Sequence, residues 1–156
     1  MNTIDYFKLQ AKNLFKDYKT QTSPSAGVEA EQFYEYSPTY FDIDGIVAAF
    51  DLDEDHFSLM NAQHIIAQLA GFYKWTDMIK ASDVELELGK LLFDNQHKIS
   101  TEGWEDYMKG VEWDHKKSYS SEERLEIFRL VFANDEGHQS FVQDFRLNPK
   151  KGHSEN

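Results

Sequence analysis

Hydrophobic positions recur at helical spacing along most of the chain. Ile4, Phe7, Ala11, Leu14, Phe15 and Tyr18 fall on one face of a helix over residues 3–19. Ile43, Ile46, Val47 and Phe50 give a short helix over 43–51, and Leu59, Ala62, Ile65, Ile66 and Leu69 give the next. Ser58 is placed to cap that helix at its N-terminus, and Gly71 stands where a left-handed residue ends it. A further short helix carries Trp75, Met78 and Ile79. Trp75 is expected to be buried against the helix before it, folded back through the turn at Gly71.

Two capping boxes follow. Ser82 with Glu85 opens a helix containing Val84, Leu88, Leu91 and Leu92, and Ser120 with Glu123 opens one containing Leu125, Phe128, Val131 and Phe132. Between them, Ser100 or Thr101 starts a helix whose face is Trp104, Tyr107, Met108 and Val111. Gly137 is read as the stop after Phe132, and Phe141, Val142 and Phe145 as a last short helix. No strict apolar–polar alternation lasts long enough to require a sheet. The pattern predicts an all-α fold of about seven or eight helices, in one helical domain over 1–147 with a flexible polar tail at 148–156.

The segment 20–41 breaks the helical pattern. Ser23-Pro24-Ser25, Gly27 and Ser37-Pro38 punctuate it, so a loose loop is expected near 20–32, with a short helical turn near Glu29–Tyr34. The run FYEYSPTYF then holds five aromatic residues, and an ordered connection pinned by Phe33, Tyr36 and Tyr40 is expected there.

Composition changes this picture little. Twelve Phe, eight Tyr and three Trp in 156 residues provide for a real core. Absence of cysteine excludes disulfides and thiolate metal sites and makes the cytoplasm the default location. The opening MNTIDYFKLQAKN mixes acids and bases and has no signal-peptide character, and no apolar run is long enough to span a membrane.

Charge changes it more. Between Lys19 and Lys74 there is no lysine or arginine, while nine carboxylates lie there: Glu29, Glu31, Glu35, Asp42, Asp44, Asp51, Asp53, Glu54 and Asp55. They make up nine of the twelve formal net negative charges. Such a segment disfavours polyanions, so direct nucleic-acid binding is not expected, and it favours a cationic partner. Two answers to its self-repulsion are open. The stripe of Lys8, Lys12, Lys16 and Lys19 on the first helix could face it, or a basic partner could.

Phe57–Ser82 resembles a small bacterial helical module of the form S-L-x-x-x-Q-x-x-I-A-x-x-x-G-F/Y-x-x-W-x-D/T-L, also found beside glyoxalase-like and ankyrin-repeat domains. The matching positions are Ser58, Leu59, Gln63, Ile66, Ala67, Gly71, Phe72, Trp75 and Asp77. The chain as a whole is similar to uncharacterised bacterial proteins in which a lysine-rich helix and an L-E-L-x-K-L-L-F-D-N segment, here Leu86–Asn95, flank that module. The resemblance implies a helical fragment and a bacterial source. It brings no catalytic residue. Physically the motif is structural, with Gly71 in a tight turn, Phe72 and Trp75 wedged between helices, and Gln63 in position to cap a backbone group.

Candidate chemistry is sparse. Asp51-x-Asp53-x-Asp55 matches the start of a calcium loop, but position six is His56 and position twelve is Ala62. The six histidines form no paired metal-ligand motif, and no nucleophile elbow, phosphate loop or dinucleotide fingerprint occurs. No cofactor is implied. The expected function is a non-catalytic acidic interaction or regulatory module, in which Asp42, Asp44, Asp51, Asp53, Glu54 and Asp55 meet a protein with a basic surface or a second copy. Alternatives are an antitoxin-like inhibitor that mimics nucleic acid, and a small metal-dependent enzyme with a dispersed His/Asp/Glu site.

Overall fold

In the computed structural model, which describes residues 2–23 and 33–147, the apolar stripes fold into seven α-helices. They are α1 (Thr3–Tyr18), α2 (Ile43–Phe50), α3 (Leu59–Leu69), α4 (Trp75–Ile79), α5 (Asp83–Asp94), α6 (Thr101–His115) and α7 (Ser121–Phe128), with a π turn at Arg129–Ala133. Among the described residues there is no strand. Two isolated antiparallel bridges pair Thr22 with Glu35 and Phe41 with Arg146. The fold is all-α. The tail at 148–156 lies outside the described residues, as does most of the loop at 20–32.

Local chemistry fixes the helix ends. Ser82 and Ser120 accept from the N–H of Glu85 and Glu123, whose carboxylates return to the serine N–H groups, so both capping boxes close. The bond from Ser120 N–H holds the Glu123 carboxyl below the usual carboxylate range. Ser100 caps α6 through Gly103 N–H, and Asp42 caps α2 through Gly45 N–H. Ser58 and Asn61 satisfy each other reciprocally at the start of α3. At its end Gly71 takes φ +93°, Phe72 N–H bonds to Ala67 O and Gly71 N–H to Gln68 O. That is a Schellman arrangement, and it needs the left-handed glycine.

The chain divides into two compact units. The first comprises Met1–Phe7 and Ile66–Asp144, the second Lys8–Ile65 and Phe145–Asn156. The first unit is centred on buried Leu92, Trp104, Met108, Phe128 and Phe132. The Trp104 ring meets Phe128 edge-on at 5.0 Å and Phe132 at 6.0 Å. Such aromatic pairs stabilise by about 0.5–1.5 kcal/mol beyond the burial of area. The π turn frees carbonyls from the helical ladder, and side chains take them up. Lys98, almost fully buried, donates to Phe132 O and Ala133 O, and His138 Nε2 bonds to Val131 O.

In the second unit, Phe15, Tyr18 and Phe57 pack face to face or tilted, and Phe50 meets Phe145 at 5.9 Å. Its key polar group is Asp17, only 2% exposed, whose carboxylate accepts the backbone N–H groups of Thr39, Tyr40 and Phe41. Three donors satisfy a charge that would be costly to bury alone. The backbone of 40–42 is also paired with the chain end, through Asp42 N–H to Phe145 O and Leu147 N–H to Tyr40 O.

Several local expectations need correction. No helix forms at 141–145. Phe145–Leu147 runs extended because its backbone bonds go to 40–42, Phe145 alone is buried, and Phe141 is fully exposed. The last helix stops at Phe128 and its π turn at Ala133, well before Gly137, whose N–H instead closes a local turn on Asp135. Trp75 is only half-buried, and the residue that α4 buries completely is Met78. The turn after α3 receives its side-chain bond from Gln68, which donates to Tyr73 O at 3.4 Å, and not from Gln63. Phe33 and Tyr40 are exposed and pin nothing by burial; Tyr36 does pin its segment, and Asp17 holds the rest. Of the helical turn expected near Glu29–Tyr34, residues 29–32 lie outside the described residues, and residues 33 and 34 are not helical.

Candidate functional site

The acidic residues predicted as an interaction surface all lie in the second unit, and the structure sorts them into two roles. Asp42 and Glu54 are partly buried and structural. Asp42 Oδ1 caps α2 at 3.1 Å from Gly45 N. Glu54 is held on both its backbone and its side chain. Its carbonyl accepts Tyr18 OH at 2.7 Å and Gln21 Nε2 at 3.1 Å, and its Oε2 accepts Tyr36 OH at 2.7 Å. Burial, then the bond to Glu54, raises the Tyr36 phenol above its ordinary value of 10.0, so it stays a donor throughout the physiological range.

The other four, Asp44, Asp51, Asp53 and Asp55, are exposed. Asp44 lies in the first turn of α2, where a carboxylate suits the helix dipole. Asp51 ends α2 in the left-handed conformation at φ 52°, ψ 53°, one of the few non-glycine residues that tolerates it. Asp53 accepts Asp55 N–H at 3.0 Å and contacts His56 Nδ1 at 2.9 Å. His56 and then the Asp55 N–H lower the Asp53 carboxyl below its ordinary value, and Asp53 in turn raises His56. Asp55 accepts the Tyr34 hydroxyl, and that bond raises the Tyr34 phenol.

The lysine stripe does not answer these charges. Lys8, Lys12, Lys16 and Lys19 are exposed, and among the described residues none forms an ion pair; Lys19 Nζ instead lies 4.5 Å from the centre of the Phe15 ring. No Lys or Arg pairs with Asp44, Asp51, Asp53 or Asp55 among the described residues either. The carboxylates bond instead to two tyrosine hydroxyls, Tyr34 on Asp55 and Tyr36 on Glu54, to His56 on Asp53 and to backbone N–H groups, while Tyr18 and Gln21 hold the Glu54 carbonyl. Glu29 and Glu31 lie outside the described residues.

Of the motif residues, Ser58 caps α3 and Gly71 makes its C-terminal turn, while Gln63, Phe72 and Trp75 are half-buried. The motif and the acids are not gathered into one site. Sequence reasoning missed Tyr18, Gln21 and Tyr34 as posts that hold the 52–56 loop and gave Tyr36 only as a pin of its own segment; for Tyr34 and Tyr36 the aromatic density of 33–41 was the available signal. Among the described residues, no group of three or more His, Asp and Glu is placed to hold a metal ion, and no helix is long and apolar enough to cross a membrane. Compared with known proteins, the chain matches no family model, no curated protein and no solved structure.

Proposed function

We propose that the chain is a non-catalytic interaction module in the cytoplasm, which holds a protein partner with a basic surface on the acidic face of α2 and the loop after it. One observation carries this reading: Asp44, Asp51, Asp53 and Asp55 are exposed on a backbone pinned by capping bonds and by Tyr18, Gln21, Tyr34 and Tyr36, with no lysine or arginine paired to them among the described residues and only His56 beside Asp53. A surface fixed before binding loses little entropy on association. Its net negative charge speeds encounter with a basic surface and rejects acidic ones. Phe33, 64% exposed and next in the chain to Tyr34, supplies an apolar contact at the rim. A second copy is the poorer partner for this face, because it would bring the same four carboxylates.

A lysine-rich peptide titrated into the isotope-labelled chain tests the reading. Amide shifts are expected at Asp44 and through 51–56, with affinity falling steeply from low salt to about 0.15 M, where the screening length is about 8 Å. Shifts of equal size at the acidic residues of α6 and α7 would reduce the effect to net charge and defeat it.

A further inference from the structure

The first unit holds a cleft of about 150 Å³, formed by elements that take no part in the acidic face. On one side, α5 presents Leu88 and Leu92, one turn apart on one helix face. Phe72, from the turn that Gly71 makes possible, lies against α5 at Gly89 and completes this wall. Gly89 sets how close Phe72 comes, since a Cβ there would lie 2.9 Å from Phe72 Cε2 and 3.2 Å from Ala70 O. The apolar part of the cleft is thus Phe72, Leu88 and Leu92 with Ala70 and Trp104. A volume of about 150 Å³ has room for a benzene ring.

The polar part has bonding capacity in reserve. Ser121 and Arg124 stand three residues apart in the first turn of α7, on one helix side. Arg124 Nη2 donates to both Glu105 oxygens at 3.1 Å, and its Cζ lies 5.6 Å from the centre of the Trp104 ring. Glu112 is 3.7 Å from Nη1, beyond hydrogen-bond reach. Among the described residues the Nε–H and Nη1 donors have no acceptor, and the Ser121 hydroxyl makes no hydrogen bond. Trp104, wholly buried among the lining residues, also has an indole N–H without an acceptor. Arg124 and Ser121 are partly exposed, so their uncommitted donors are open to an acceptor on a ligand in the cleft, and among the described residues the Trp104 indole N–H is the one buried side-chain donor left unsatisfied. The ligand's charge follows from the rim. Glu85 and Glu105 outnumber Arg124, so an anion meets net repulsion there.

We propose that this cleft binds an uncharged single-ring aromatic amide or ketone, with its ring against Phe72, Leu88 and Leu92 and its carbonyl oxygen accepting from Arg124 and Ser121. Benzamide is the probe, followed by two-dimensional NMR of the full chain, with benzene and benzoate as comparisons. Benzamide is expected to give saturable shifts at the amides of 70–72 and 88–92 and at the Trp104 indole N–H. Benzamide on Ser121→Ala should bind about three- to tenfold more weakly, the range of one hydrogen bond, and benzene, which loses the bonds to both Arg124 and Ser121, more weakly still. Benzoate should bind more weakly than benzamide, and Leu88→Trp, which fills the cleft, should abolish binding. No saturable shift with benzamide, equal affinity for benzene, or undiminished binding by a folded Leu88→Trp would each overturn the proposal. Should Leu88→Trp fail to fold by circular dichroism, Ser121→Ala decides, since Ser121 forms no internal bond; unchanged affinity there overturns the proposal as well.

Discussion

Replacing Asp17 by alanine removes the single acceptor of three backbone donors, Thr39 at 2.9 Å and Tyr40 and Phe41 at 2.7 Å each. A hydrogen bond to a charged group contributes about 1.5–3 kcal/mol, and a buried donor left unsatisfied costs about 1–3 kcal/mol. The three bonds share one carboxylate that is well hydrated in the unfolded chain, so they do not simply add. We expect Asp17→Ala to cost about 3–5 kcal/mol. Asp17→Asn tests the geometry more finely. Its oxygen can serve Tyr40 and Phe41, which share Oδ2, while its amide turns a donor towards Thr39 N–H. One donor is then lost, and the cost is about 1–3 kcal/mol. Urea unfolding followed by circular dichroism gives both values through the midpoint and slope. Hydrogen exchange at the Thr39, Tyr40 and Phe41 amides gives the local effect. An alanine variant that loses less than about 1 kcal/mol, or that exchanges these three amides no faster than wild type, would refute the role assigned to Asp17.

Other consequences are open to equally direct tests. Lys98→Met should cost about 2–4 kcal/mol in urea unfolding by taking the Lys98 donor from Ala133 O and from Phe132 O, which keeps backbone donors, whereas Glu136→Gln should cost less than about 1 kcal/mol, because Glu136 is 86% exposed. Gly89→Ala should destabilise by about 1–3 kcal/mol through its clash with Phe72 and Ala70, while Gly110→Ala, with open space around the new Cβ inside α6, should stabilise by about 0.5–1 kcal/mol; the same sign for both in thermal melts would contradict the packing described. His56 should titrate above its ordinary 6.5 by NMR and move back towards it in Asp53→Asn. Since His56 is raised and Asp53 lowered, their mutual stabilisation is complete between about 4 and 6.5, is lost as pH rises through the His56 midpoint and is lost as pH falls through that of Asp53; an unmoved His56 midpoint in Asp53→Asn would dismiss the pair.

Much of the fold is legible in the sequence because its signals are local. A serine followed three residues later by glutamate closes both capping boxes within one turn, and Gly71 stops α3 for a reason confined to its own φ. What escaped depends on partners far along the chain. Asp17 sits beside exposed Lys16 and Lys19 and reads as one more surface charge, yet its three donors are 22 to 24 residues away. Phe141, Val142 and Phe145 have helix-like spacing, but their segment spends its backbone bonds on 40–42, and nothing local announces that. The candidate site was half legible. Charge counting found the acids, but it could not separate Asp42 and Glu54, which cap and anchor, from the four that face solvent. Nor could it foresee that tyrosine hydroxyls, rather than the lysine stripe, would hold the loop. The spacing of Trp75 gave its helix correctly and its burial wrongly, since α4 buries Met78 instead.

The account stands or falls on whether the exposed acids select a partner by position or only add to a net charge of −12. The deciding measurement is quantitative capture from the cells that make the chain, at increasing salt, with three immobilised forms. One is wild type. The second carries Asn at Asp44, Asp51, Asp53 and Asp55. The third removes the same four charges from exposed positions of α6 and α7, as Glu102→Gln, Asp106→Asn, Glu122→Gln and Glu126→Gln. The account predicts a basic protein retained by wild type and by the third form, lost from the second, and released from wild type as screening shortens to a few ångströms near 1 M salt. Equal retention by the first two forms, or equal loss from the last two, would contradict it.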